Sequence, residues 1–98
     1  MILKELLAEI ETSTHPVAKA LYKSESCKLL FIAFKKGMIL KEHKTNLPSK
    51  LIVLSGSIIY KQGDITKHLT SYEDTDIPEQ IIHSVTCTDD ALCILRQG

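Results

Sequence analysis

Two apolar runs in this chain cannot be ordinary one-sided strands, and they restrict what it can fold into. Leu29, Phe31 and Ala33 alternate with Leu30, Ile32 and Phe34, and Ile52 and Leu54 alternate with Leu51 and Val53. Side chains along a strand point alternately to the two faces of its sheet. A strand with one wet face therefore alternates apolar with polar residues. These runs do not, so each needs a core on one side and a cover on the other.

Around them the chain is punctuated like an all-β domain. Short β-prone runs fall at residues 17–22, 27–35, 38–44, 50–55, 57–61, 65–70, 73–77, 82–88 and 91–96. Gly56 stops one run, Gln62, Gly63 and Asp64 form a hairpin signal, and Asp89 with Asp90 reads as a turn. Eight or nine short strands at roughly eight-to-twelve-residue spacing argue for a barrel or sandwich.

The N-terminus differs. Ile2, Leu3, Leu6, Leu7 and Ile10 recur at helical spacing, with Lys4, Glu5, Glu9 and Glu11 opposite. This predicts an amphipathic helix over about 2–11, packed through Leu3, Leu6, Leu7 and Ile10 onto an open end or face of the sheet. Pro16 forbids its continuation. The expected organisation is a helix and connector over 1–16 and a barrel over 17–98.

Composition narrows the function. The 98 residues are 44% hydrophobic, enough for one modest core. Lysine plus arginine equals aspartate plus glutamate, 12 each, so no basic footprint for nucleic acid or anionic membrane stands out. The three cysteines, Cys27, Cys87 and Cys93, are odd in number and show no CxxC spacing, which argues against a disulfide framework or zinc knuckle. Charges interrupt the N-terminal apolar run, unlike a signal peptide, and no run approaches the roughly 18 residues of a membrane span. The expectation is a cytoplasmic protein with no membrane and no nucleic-acid partner. Because one short helix covers only one stripe, the outer apolar positions also predict a homodimer.

Two stretches carry a more specific signal. Gly37, His43 and Gly56 frame the first, and Pro78 and His83 mark the second. Together they resemble the paired motifs of the cupin superfamily, over about residues 17–96. The sequence is similar to small stand-alone bacterial cupins of the conserved-barrel type. The resemblance implies an all-β, single-domain double-stranded β-helix, the RmlC-like jelly-roll barrel. In metal-dependent cupins, two histidines and a glutamate of the first motif and a histidine of the second bind one divalent ion. Here Thr45 stands in the second histidine's place and Ser49 in the glutamate's. Tyr72, Gln80 and Cys87 stand where glycine, glycine and asparagine are usual.

The resemblance thus implies a ligand site at His43, Thr45, Ser49 and His83, with His43 and His83 the metal ligands that remain. Three readings of this pair stand side by side. The histidines are inward polar groups satisfied by hydrogen bonds or water. They hold a divalent transition metal weakly, Zn, Ni, Fe or Mn, completed by water or ligand. Or they do acid–base work on a bound small molecule. Glu42 has the wrong strand parity for a third ligand and Glu79 lies in a turn. Cys87 shares a face with His83 but sits about 13 Å along the strand. His15 and His68 lie outside both motifs. The functional expectation is a small cupin that binds an unknown small molecule in its barrel. Its alternatives are a metal-dependent isomerase or oxygenase with an incomplete ligand set, and a purely structural dimer.

Overall fold

A computed structural model describes residues 1–98. The element order is α1 (Ile2–Ile10), β1 (Val17–Lys23), β2 (Lys28–Phe34), β3 (Ile39–His43), β4 (Ser49–Gln62), β5 (Ile65–Thr70), β6 (Asp74–Ile77) and β7 (His83–Gln97). Every strand pairing is antiparallel. β4 and β7 are long and bent, and each serves two sheets. One sheet runs β1–β2–β7–β4–β6, using the C-terminal half of β7 and the N-terminal half of β4. The other runs β3–β7–β4–β5 and uses the remaining halves. The sheets face each other as a flattened barrel.

The bend corrects two sequence expectations. Residues 50–55 and 57–61 are one strand rather than two, and Asp89 and Asp90 continue β7 rather than turning it. The reason lies in the pairing. Ser55 opposes Leu92 and Ser57 opposes Asp89, so the register shifts on both sides of Gly56. Such bulges turn a strand without ending it. Gly56 takes φ +83°, and a Cβ there would collide with the Asp90 carbonyl oxygen.

Parity then sorts the apolar residues. Ile32, Phe34, Leu51, Val53, Ile58, Tyr60, Leu69, Ile77, Val85, Cys87, Ala91 and Cys93 fill the space between the sheets. The opposite face of β2 goes elsewhere. Ala33 joins Leu6, Ile10 and Val17 in a second cluster, with Phe31 and Leu92 packed against it. The helix is thus the cover that the doubly apolar β2 requires. Leu6 and Ile10 are its buried contacts, and Leu3 is partly buried. Leu7, expected to pack, is 47% exposed. It lies one position round from Leu6, and a helix this short presents only a narrow stripe to the sheet.

Burial pushes the Cys87 thiol up and the Cys93 thiol up to about 12, so both are small core residues rather than reactive thiols. No helix is long and apolar enough to cross a membrane.

Candidate functional site

At one end of the barrel, β3 and β7 bring two histidines face to face. His43 and His83 are direct cross-strand partners, reached after a register shift between Leu40 and His43. Their ring centroids are 4.2 Å apart with planes tilted by 58°. Tyr60 also stacks on His83, 5.8 Å between centroids and 29° between planes.

Each imidazole is oriented by its own strand. His43 Nδ1 lies 2.7 Å from the Lys41 carbonyl oxygen and His83 Nδ1 lies 3.1 Å from that of Ile81. A carbonyl only accepts, so Nδ1 carries the proton in both rings. In the neutral rings each Nε2 then keeps a free lone pair. His83 is 3% exposed. No buried side-chain nitrogen or oxygen in the protein lacks a partner, so its unbonded Nε2 is reached by solvent. Burial lowers the pKa of His83; the Ile81 carbonyl raises it by less, and the nearby His43 lowers it further. His83 is therefore held neutral, as an acceptor.

Thr45 is buried and lines the same inner cavity as the pair, whereas Ser49 is buried at the start of β4, between Ile77 and Gln97, and lines none of the spaces at the histidines; the hydroxyls of both are committed. Thr45 Oγ1 donates to the Leu47 carbonyl at 2.9 Å, and Ser49 Oγ donates to the same oxygen at 3.1 Å. Both lone pairs of that carbonyl are used, which fixes the loop between β3 and β4. The loop is clasped to the one before β7. Gln80 donates its backbone N–H to the Thr45 carbonyl at 2.8 Å and its side-chain amide to Asn46 Oδ1 at 3.0 Å.

This donor set does not fit the resident metal centre of metal-dependent cupins. Such a site needs at least three protein ligands. No group of three or more histidine, cysteine, aspartate or glutamate side chains comes together. Thr45 and Ser49, in the two vacated ligand positions, turn their hydroxyl protons toward Leu47. Cys87 donates its thiol proton to the Asp89 carbonyl at the far end of the core. His68 sits on β5 opposite Ile59, on the outer face, and His15 Nδ1 meets the Pro16 carbonyl beside the helix.

Three spaces meet at the histidines. An inner cavity of about 20 Å³ is bounded by His43, Thr45 and His83 with Ile32, Phe34, Leu40, Leu51, Ile77, Val85 and Leu95. It has room for about one water. Outside His83 lies a groove of about 660 Å³, walled by Glu42, Lys44, Lys61, Gln80, Ile81, Ile82 and Ser84. Outside His43 a second groove of about 360 Å³ runs past Lys44, Asn46 and Leu47 to Lys28 and Gln97. His83 alone borders both the inner cavity and the larger groove. Glu42 has the wrong parity for the barrel interior, and for the same reason it lines this outer groove. The sequence offered no sign of Lys44 and Lys61 as wall residues. Lys61 comes to this groove because the β4–β5 hairpin lies beside the start of β7, where Lys61 pairs with Ser84, and Lys44 because it follows His43, the cross-strand partner of His83.

Two face-to-face sheets sharing bent central strands, with a histidine pair at one end, form the double-stranded β-helix of the cupins. The chain has the RmlC-like cupin fold, and solved structures carry the statement. It is similar to a cupin superfamily protein from Desulfitobacterium hafniense DCB-2, with a TM-score of 0.81 and 15% identity over 87% of this chain and 78% of that one. It is similar to an RmlC-like cupin from Shewanella frigidimarina NCIMB 400, with a TM-score of 0.81 and 17% identity over 88% and 78%. An RmlC-like cupin family protein with a double-stranded β-helix fold from Methanocaldococcus jannaschii matches at a TM-score of 0.77 and 13% identity over 89% and 83%. No family model matches the sequence. No curated protein matches it either.

Proposed function

We propose that this chain is a cupin binding module for a small polar molecule, held in the large groove at the end of the barrel and read by His83. The supporting observation is one side chain. His83 is 3% exposed, its Nδ1 is committed to Ile81, and its Nε2 has no partner. That nitrogen is an acceptor reached by solvent at the groove, left free by the side chains around it, and a ligand donor can take the place of water on it. The inner cavity, at about 20 Å³, is too small for a metabolite, so the ligand sits at the mouth rather than deep in the barrel. The donor set is too short for the metal-dependent isomerase or oxygenase that the resemblance also implies, and binding is the better-supported reading. The cysteine count and spacing support a reducing, cytoplasmic setting.

The test is a panel of small neutral, cationic and anionic polar compounds followed by amide NMR. Binding in the groove shifts the amides of Gln80, Ile81, Ile82, His83 and Ser84, and His83→Ala weakens it. A panel in which no compound moves these amides overturns the reading.

A further inference from the structure

We infer that the ligand of this groove is a small hydroxylated organic anion, its acid group placed between Lys44 and Lys61. The inference rests on the binding reading above and adds the ligand's chemistry. Both lysines wall the same groove as His83. Neither is in an ion pair, whereas Lys19, Lys35 and Lys50 each have a carboxylate partner. Two ammonium groups without an ion-pair partner on the wall of one concavity can hold a carboxylate or phosphate between them.

The remaining wall selects what the acid group is attached to. His83 Nε2 is an acceptor, because Nδ1 carries the ring proton toward Ile81. Glu42, also unpaired, is an acceptor. It disfavours a bare anion nearby but accepts hydroxyl protons. Gln80 donates its amide to Asn46 and so offers the groove its carbonyl oxygen, a further acceptor. Ser84 can donate or accept. The wall thus carries acceptors, His83, Glu42 and Gln80, together with two cations, Lys44 and Lys61, which matches a molecule that bears both hydroxyl donors and an acid group. Ile81 and Ile82, 42% and 48% exposed, are the two apolar side chains of the wall and lie where a carbon skeleton would rest.

The probes are D-gluconate and its neutral counterpart D-glucitol, titrated into the protein with amide NMR and calorimetry. Gluconate is expected to shift the groove amides and glucitol to bind at least about tenfold more weakly. Lys44→Gln with Lys61→Gln should remove that preference without changing the fold, and raising salt to about 0.5 M should weaken gluconate but not glucitol. Inorganic phosphate is the control for headgroup recognition alone. If phosphate competes as well as gluconate, the hydroxyl part of the inference fails. If glucitol binds as tightly as gluconate, the anion inference falls and the groove reading stands. If neither sugar derivative moves the groove amides while another compound of the wider panel does, the inference again falls alone.

Discussion

Gly56 lies directly against the backbone of Asp90, at the point where the two long strands bend together from one sheet into the other. The corner has a second brace. The Asp90 carboxylate accepts the Lys36 backbone N–H at 2.7 Å and faces Lys35 Nζ at 3.5 Å, and Lys35 also reaches Glu11 at 2.9 Å. The Lys36 hydrogen bond, with Lys35 close by, holds the Asp90 carboxyl below its usual range.

Gly56→Ala should therefore be severe. It adds a Cβ at φ +83° and drives it into the Asp90 carbonyl. Left-handed strain alone costs about 1–3 kcal/mol, and the collision adds to it. Gly63→Ala is the control. Its φ is +55° and a Cβ there meets nothing within 4 Å, so only the strain should appear. Urea denaturation of both variants decides it, and equal losses would contradict the corner.

Tyr72 and Gln80 stand where cupin motifs usually carry glycine, and they are the non-glycine residues with positive φ, +73° and +61°. Both positions take the left-handed backbone conformation for which glycine is the usual residue. Tyr72 is 85% exposed, so its ring contributes little packing. Tyr72→Gly should stabilise the fold by about 1 kcal/mol, read as a rise in melting temperature. A fall would mean that the exposed ring makes a contact that matters.

The helix prediction separates two adjacent leucines. Leu6 is fully buried and Leu7 is 47% exposed. Leu6→Ala should cost about 2–5 kcal/mol, while Leu7→Ala should cost well under half of that. Melting curves of the single variants check the register, and similar losses would place the helix differently on β2.

Metal is expected to leave the fold untouched. His43 and His83 supply two imidazole nitrogens and no carboxylate, so an ion there would be weakly held and shared with water. Adding a chelator should move the melting temperature by less than about 2 °C. Elemental analysis of the purified protein should find well under one metal per chain. A tightly held stoichiometric ion would point to a ligand set that the fold does not display.

These residues also show how far the sequence could be read. His43 and His83 were legible because a strand repeats every two residues and both motifs keep their spacing, so a barrel places them as neighbours. The helix was legible from periodicity, but Leu7 was not, since which side of a short apolar stripe faces the sheet depends on the sheet. The corner was misread for a physical reason. Gly56 and the pair Asp89 and Asp90 look like chain reversals, and only cross-strand pairing turns them into facing bulges. Lys44 and Lys61 carried no local signal, because the first is placed by the pairing of β3 with β7 and the second by the tertiary position of the β4–β5 hairpin.

The last prediction concerns the uncovered part of the first sheet. Pairing aligns Lys19, Phe31, Ile94, Ile52 and Asp74 in one row, and Tyr22, Leu29, Arg96, Lys50 and Asp76 in the next. The helix packs over the Phe31 end. Leu29, Ile52 and Ile94 stay partly exposed, with Leu21 and Tyr22 more than half exposed beside them. Such contiguous patches mark interfaces. Charge favours a second copy as the occupant. Asp74 and Arg96 lack ion-pair partners, and a two-fold axis that sets Arg96 of one copy against Asp74 of the other forms that pair twice. A stable dimer would bury about 800 Å² per chain. Sedimentation at about 50 µM should give a dimer, and Ile94→Asp should dissociate it while leaving the barrel folded, because Ile94 points away from the main core. A wild-type species of 11.0 kDa at that concentration would leave the patch uncovered and overturn the dimer.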